Sequence, residues 1–462
     1  MHKKNTFIAS TITCLIISAT QAQTAGYKFN QTRTVANATA GAAAISGDVT
    51  TMFNNPATMT SVKDRHFAAT TSVILPHLKF RDGGKTNTNI GLLEDGGLGS
   101  ETMDGGDGGN GGKIMVVPSI YGLWSVKDDM KIGLAVTSPW GLATEYDPDW
   151  KGRFHAIESR FTTFNINPNF AYRINRMWSI GLGVAFQYID VKLKKKISNS
   201  SLAVFDENDD FGLIEDVRSN FTGNDWGAGF NVGLLFEPVK GTRLGLAYRS
   251  KITHGLRGEM DIKGVDPTPS IINGAAELGV VEGITKASLD LTTPETIDFS
   301  FAQDVGEAWT FLGSIVWTRW NRFNEINVRS QATGNTINEV ERHGWKNVFM
   351  FSLGADWKFA RDWVAHLGIA YDQSPISKAH RSPMLPGDDR SWLATGLDWS
   401  VADWAKISVS YTYIFIRSTD VDNLNGAFRA GGADMSWSSG NRLQGKFNSH
   451  VNIIGINANF KF

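Results

Sequence analysis

The stretch Trp178-Ser179-Ile180-Gly181-Leu182-Gly183-Val184-Ala185-Phe186-Gln187-Tyr188 decides the fold. Every second residue is large and apolar, and the stripe begins and ends on aromatic rings. The residues between are small or polar. Strand side chains alternate between faces with a period of two. This segment therefore reads as a strand with one face in an apolar medium and the other in a polar one. Aromatic ends on an apolar stripe suit the two interfaces of a membrane-spanning strand.

The pattern recurs along the chain. Phe349, Phe351, Leu353, Ala355, Trp357 and Phe359 form one stripe, and Ile407, Val409, Tyr411, Tyr413 and Phe415 another. A final stripe runs Ile454, Ile456, Ala458, Phe460, Phe462. Fourteen strands are predicted, near 66–80, 113–126, 131–145, 158–174, 178–197, 225–238 and 242–260, then 285–303, 308–328, 342–359, 363–372, 390–401, 404–418 and 448–462. An even number is what a single-chain bacterial barrel requires.

The connections carry separate information, because they alternate short and long. The short ones hold Lys127-Asp128-Asp129, Asn175-Arg176, Pro238-Val239-Lys240-Gly241, Val305-Gly306-Glu307, Arg361-Asp362 and Ala402-Asp403. The long ones run near 81–112, 146–157, 198–224, 261–284, 329–341, 373–389 and 419–447. Outer-membrane barrels have short periplasmic turns and long extracellular loops. Trp124, Trp178, Trp309, Trp357, Trp363, Trp399 and Trp404 flank the short turns, as a periplasmic aromatic girdle would. Lipid offers backbone groups no hydrogen-bond partners, so such strands must close into a barrel.

The ends and the composition agree. His2, Lys3 and Lys4 precede an apolar stretch from Phe7 to Ile17 and a small-residue run ending at Ala22. That is the order of a secretory leader, 1–22, with cleavage after Ala22 or up to residue 25. Cys14, the single cysteine, lies inside it, so the mature chain has no disulfide or thiolate metal site. Formal net charge is −1 over the whole chain, and loss of Lys3 and Lys4 makes it −3. Nothing there favours a nucleic-acid partner. Mean hydropathy is −0.19. No apolar run of helix-spanning length follows the leader, which excludes an α-helical membrane protein.

A barrel of fourteen strands is wider than its wall side chains can fill, since about eight strands already reach that limit. Residues 25–65 are rich in Ala, Thr, Gly and Asn and end in Asn54-Asn55-Pro56-Ala57. On pattern alone they fit a small packed plug or a periplasmic tail equally well.

At this point the chain resembles a known family. Ala25-Gly26-Tyr27, Ala40-Gly41-Ala42-Ala43, Asp48 and Asn55-Pro56-Ala57 are similar to the N-terminus of the FadL family, long-chain fatty acid transporters of the outer membrane. Gly141-Leu142-Ala143-Thr144-Glu145-Tyr146, Trp226-Gly227-Ala228-Gly229-Phe230-Asn231, Asp372-Gln373-Ser374-Pro375 and Asp389-Arg390-Ser391-Trp392-Leu393 continue the resemblance over essentially the whole mature chain. It implies an all-β membrane protein, a 14-stranded antiparallel transmembrane barrel (66–462) plugged by a small N-terminal helical hatch (25–65). It also implies capture of a hydrophobic ligand among extracellular loops, hatch movement, and lateral release through a gap in the wall.

The resemblance assigns hatch and gating roles to Tyr27, Asn55, Pro56 and Ala57. It places a wall-opening kink in the third strand, where Ser138-Pro139-Trp140-Gly141 stands here. Proline cannot donate to a strand ladder, so Pro139, with Gly141, marks a break on its own account. The resemblance places the family's basic pocket positions near Lys195 and near Asn327, which is uncharged; Arg329 shares a strand face with Asn327 and could substitute, and Arg319 and Arg322 are also close in sequence. Relatives that carry toluene-like hydrocarbons keep an aromatic substrate open.

Other patterns lead less far. The run Gly105-Gly106-Asp107-Gly108-Gly109-Asn110-Gly111-Gly112 is expected to be a flexible loop, and the acidic run at 207–210 a solvated face. The nine histidines show no metal-ligand spacing. No Gly-x-Ser-x-Gly elbow is present, which argues against a lipase. A general porin would not need the 25–65 segment. No cofactor, metal or catalytic residue is expected. The expected partners are a hydrophobic ligand, outer-membrane lipid and lipopolysaccharide, and, from the aromatic Phe462, the barrel assembly machinery, with a single barrel as the working unit.

Overall fold

The computed structural model describes residues 26–28, 44–45, 47–92, 98–198, 216–267, 269–277, 279–331, 336–337, 341–425 and 441–462. The expected leader, most of 25–43 and the acidic run at 207–210 lie outside the described residues.

Fourteen antiparallel wall strands follow one another around a closed barrel. They begin with β1 (His66–Asp82), β2 (Met115–Ser125), β3 (Met130–Thr137, resuming at Gly141–Glu145), β4 (Glu158–Arg173) and β5 (Trp178–Ile197). Next come β6 (Val217–Val239), β7 (Thr242–Arg249, resuming at Ile252–Lys263), β8 (Gly283–Thr293, resuming at Thr296–Val305) and β9 (Trp309–Thr318). The wall ends with β10 (Val348–Ala360), β11 (Trp363–Asp372), β12 (Arg390–Ala402), β13 (Ala405–Ile416, resuming at Thr419–Asn425) and β14 (Asn441–Lys461). The seam pairs β1 with β14 from His66–Lys461 to Asp82–Gly445. No helix among the described residues is long and apolar enough to cross a membrane.

The period-two stripe sets the two faces. In β5, Ile180, Leu182, Val184 and Phe186 point outward and are exposed, while Ser179, Ala185 and Gln187 are buried. Near the short turns the exterior carries stacked cross-strand pairs. Trp309 faces Trp357 and Trp363 faces Trp399, each with ring centroids 5.4 Å apart, and Trp178 stacks on Phe236 at 4.1 Å. These rings form the girdle expected from the sequence.

Prolines inside the wall require repairs. Pro168 of β4 lies opposite Val184 and has no N–H to give it. The Asn167 side-chain amide donates to the Val184 carbonyl instead, at 2.8 Å. A buried Asn167–Asn231–Asn169 chain then satisfies the remaining amide groups at 2.9 and 3.1 Å.

Three expectations need correction. The ninth strand, predicted to run to 328, leaves the wall at Thr318, and Trp320–Arg322 turn inward as a short 3₁₀ helix with Trp320 buried. The sixth strand begins at Val217 rather than 225, because the run that reads as loop continues the ladder with β5 up to Ile197–Val217. The glycine run 105–112 is not a free loop. Gly111 N–H donates to Leu78 O at 2.9 Å, and Gly106 and Gly108 carbonyls accept from Lys151 and Asp147 at 3.0 and 3.2 Å. The glycines are there because the chain passes so close to Trp150 and Tyr146 that no Cβ fits at Gly108 or Gly111 without displacing a ring.

Candidate functional site

Inside the barrel lies the described part of the N-terminal segment. Val49–Phe53 and Pro56–Ser61 are two short 3₁₀ helices, not a longer helical unit. Asp48 caps the first, its carboxylate accepting from Thr50 N–H at 2.9 Å. Asn55 caps the second, accepting from Ala57 N–H at 3.0 Å, with Pro56 at the first helical position, where its missing N–H costs nothing. Val49, Met52, Phe53, Met59 and Val62 form one buried apolar cluster with wall residues of β1 to β4.

Glycines on the inner wall admit this segment. A Cβ at Gly181 of β5 would lie against the Ala57 backbone and 2.8 Å from Pro56 Cβ; one at Gly233 of β6 would collide with Asn55. Close approach lets the Asn55 amide donate to Leu234 O at 3.0 Å. The Arg249 guanidinium sits 3.9 Å over the Phe53 ring and donates to the Phe53 carbonyl. Arg173 donates to Thr60 O at 2.8 Å.

The third strand is interrupted where Pro139 stands. Its pairing with β4 shifts by one residue between Thr137–Asn165 and Gly141–Thr162, so Ser138, Pro139 and Trp140 form a bulge. Thr163 holds the bulge, its hydroxyl accepting from Trp140 N–H at 3.0 Å and donating to Trp140 O at 2.6 Å. On the other side the β2–β3 ladder stops at Ile120–Val136, leaving the upper half of β2 unpaired with β3. Pro118 lies in that unpaired half of β2.

Residues 26–28 reach this break. Gly141 N–H donates to Tyr27 O at 2.7 Å, and Lys28 bridges Trp140. Tyr27 is buried among Trp140, Phe161, Trp320, Phe323 and Trp345, with ring centroids between 4.8 and 6.0 Å away. Its hydroxyl donates to Thr292 O at 3.2 Å, and burial raises its pKa well above the ordinary tyrosine value, so it stays neutral. Gly26 adopts φ 63°, and any Cβ there would strike Trp320.

Two apolar cavities flank this cage. One of about 10 Å³ touches Tyr27, Phe161, Phe323, Trp345, Ile376 and Met384. The other, about 50 Å³, is lined by His155, Phe221, Met260, Ile326, Val328 and Met384, with Lys194 and Lys195 at its side. Met384 belongs to both. A larger cavity of about 420 Å³ opens by the short turns, among Asp48, Asp304, His366, Asp398 and Lys406. There His366 bonds Asp356 at 2.7 Å, and Lys406 bonds Asp398 at 2.8 Å. Such charged walls suit water rather than an apolar ligand.

The positions anticipated from sequence thus divide. Tyr27, Pro139 and Gly141 come together at the break in β3. Asn55, Pro56 and Ala57 lie against β5 and β6. Lys195 lines the 50 Å³ cavity. Ile326 and Val328 line it too, so the strand period turns Asn327 and Arg329 to the other face; Asn327 accepts from the Thr336 hydroxyl at 3.0 Å, and Arg329 is exposed. The cage residues Phe161, Trp320, Phe323 and Trp345, and Pro118, were not anticipated. Pro118 was readable as a proline within a strand; the cage was not, because it joins rings remote in sequence.

A family described as outer membrane protein transport protein (OMPP1/FadL/TodX) matches residues 15–462. The chain belongs to this family. The long-chain fatty acid transport protein of Salmonella typhi is 27% identical over 439 residues, covering 91% of this chain and 95% of that one. The Escherichia coli protein of the same name is 26% identical over 450 residues, covering 91% and 95%. The crystal structure of a Pseudomonas aeruginosa FadL homologue superposes with a TM-score of 0.82 at 23% identity, covering 95% of this chain and all 100% of the other. The Pseudomonas putida toluene transporter TodX gives a TM-score of 0.65 at 16% identity, covering 96% and 100%. This FadL-family chain is therefore an outer-membrane β-barrel of a Gram-negative cell and a transporter of hydrophobic compounds rather than a representative of an enzyme family.

Proposed function

We propose that this FadL-family protein takes up long-chain fatty acids, without ATP or covalent chemistry, by ligand-triggered displacement of its N-terminal segment. The observation that carries the reading is a pair of small apolar cavities that share Met384, one beside Lys195 and the other against Tyr27, whose carbonyl is bonded at the break in β3. Such walls match an acyl chain in chemistry, and Lys195 offers its carboxylate a charge-assisted bond. The relatives named as fatty acid transporters point the same way.

The cage is nearly full, so ligand and Tyr27 compete for one space. Displacing Tyr27 breaks its bond to Gly141 and clears the unpaired edge between β2 and β3. Burial of each CH₂ contributes about 0.8 kcal/mol, so a long acyl chain disfavours periplasmic water by on the order of 10 kcal/mol. Release sideways into the bilayer is downhill. On this reading residues 25–65 act as the plug, with Asn55, Pro56 and Ala57 as its anchor on the wall, and 1–22 is the export leader.

A second reading, uptake of aromatic hydrocarbons, is favoured by one feature: Asn327 and Arg329 add no cation to the cavity wall. Uptake of labelled oleate and labelled toluene by a transporter-deficient Gram-negative host decides between them. Oleate uptake lost on replacing Asn55-Pro56-Ala57 supports the first reading. Toluene uptake without oleate uptake overturns it.

A further inference from the structure

We infer that the outer wall at the β1–β14 seam carries a binding site for a phosphorylated glycolipid of the outer leaflet. The site is built by His77, Lys79 and Arg81 on β1 and by His450 and Lys446 on β14. It is independent of the ligand path, which lies inside the barrel.

Position comes first. Odd-numbered residues of β1 face outward, from Phe67 at the short-turn rim through Val73 and Leu75. His77 lies ten residues beyond Phe67. At about 3.4 Å per residue and the usual tilt of about 40°, that is roughly 25 Å up the wall, the height of the apolar band of such barrels. On β14 the outward residues change in the same way, from Ile456 and Ile454 to Asn452 and His450.

A ladder of rings marks the boundary. His77 stacks on His450 with centroids 4.7 Å apart, and His450 on Tyr413 of β13 at 5.6 Å. Just above it the cross-strand partners are Lys79 with Asn448 and Arg81 with Lys446. Like charges directly opposite each other in an antiparallel pair repel. Acidic neighbours do not cancel the patch. Asp420 reaches Lys446 at 3.6 Å but is shared with Lys378 at 4.0 Å. Asp82, next along β1, is taken by Lys151 at 2.5 Å. Lys79 and Arg81 are exposed and have no ion-pair partner among the described residues.

An anion that joins Arg81 to Lys446 and Lys79 removes the repulsion. Arginine binds phosphate in a fork of two bonds, with lysine as a point charge beside it. The apolar wall directly below gives acyl chains a surface, and the ring ladder gives the sugars one. A free anion would use only the top of this arrangement; a phosphorylated glycolipid uses all of it.

The test uses the purified full chain in detergent, titrated with lipid A and followed by native mass spectrometry. Phosphorylated lipid A is expected to bind at least tenfold tighter than lipid A stripped of its phosphates. Lys79→Gln with Arg81→Gln is expected to weaken binding at least tenfold. Lys79→Arg with Arg81→Lys, which keeps the charge, is expected to stay within threefold and so reports that the barrel is intact. Lys127→Gln with Lys240→Gln, at the opposite rim, is expected to leave binding unchanged. Equal binding by the Gln pair and the wild type overturns the site, as does indifference to the phosphates. Displacement by inorganic phosphate or phosphatidylglycerol at equal concentration would also overturn it, by showing a site for any anion or lipid.

Discussion

The backbone N–H of Gly141 points at the carbonyl of Tyr27, 2.7 Å away. In an unbroken wall, that edge of β3 would belong to β2. The N-terminal segment has taken the place of a wall strand for this one bond, and the same residue fills the aromatic cage. Gly141→Pro removes the donor. One hydrogen bond contributes about 1 kcal/mol, so hydrogen exchange at Lys28 and Trp140 should quicken roughly fivefold. Unchanged exchange there would show that the bond holds nothing.

The glycines at 181 and 233 should be intolerant of side chains. Gly181→Val puts methyl groups into Pro56 and Ala57, and overpacking of this kind costs about 1–3 kcal/mol. The barrel should still assemble, seen as a heat-modifiable band, while the 3₁₀ helix at Pro56–Ser61 is displaced. Channel recordings should then show ion conductance that the parent lacks. A sealed G181V channel would contradict this packing.

Asn55→Ala removes both the cap on Ala57 and the bond to Leu234. The group is fully buried, so the loss is about 1–3 kcal/mol of local stability. Limited proteolysis from the periplasmic side should cut near residues 47–62 faster in N55A, with barrel melting unchanged.

Under the fatty acid reading, Lys195→Met should raise the half-saturating oleate concentration about tenfold and leave hydrocarbon uptake alone. Equal effects on both substrates would mean that Lys195 only shapes the cavity.

His155 supplies a pH dependence. It is buried in the connection between β3 and β4, its Nε2 is 3.2 Å from Asn423 O, and burial lowers its pKa from 6.5 to about 4. The opened loop binds the proton first, so the packed loop loses stability as pH falls from about 6.5 towards 4, by up to about 3 kcal/mol. Protease cleavage within 146–157 should rise at pH 5 relative to pH 7.5, and His155→Gln should flatten that rise.

The wall was legible because its information is local and repeated. Trp178 to Tyr188 states two faces and two interfaces in eleven residues, and the short turns near Trp309, Trp363 and Trp404 fix which end is which. Pro139 likewise declares a break by its chemistry alone. The inward departure at Trp320 was hidden, since Trp317 to Phe323 keeps enough apolar residues to pass for a strand. The Tyr27 cage gathers five rings from four separate segments, and no periodicity connects them. The family resemblance pairs the positions of Lys195 and Asn327, but a one-residue step in a strand decides which face a side chain takes. Only the observed register sets Val328 and not Arg329 toward the cavity.

The seam between β1 and β14 also governs how the molecule comes into being. His66 pairs with Lys461, so the first wall strand made must wait for the last. Until then both edges of a growing thirteen-strand sheet present open backbone groups to any other strand nearby. Contacts so distant in sequence make folding slow, because loop-closure entropy is lost before the contact is gained. A nascent barrel of this topology is therefore an adhesive sheet for most of its early life, and closure of a single ladder converts it into a particle whose wall is open only along the break between β2 and β3 among the described residues.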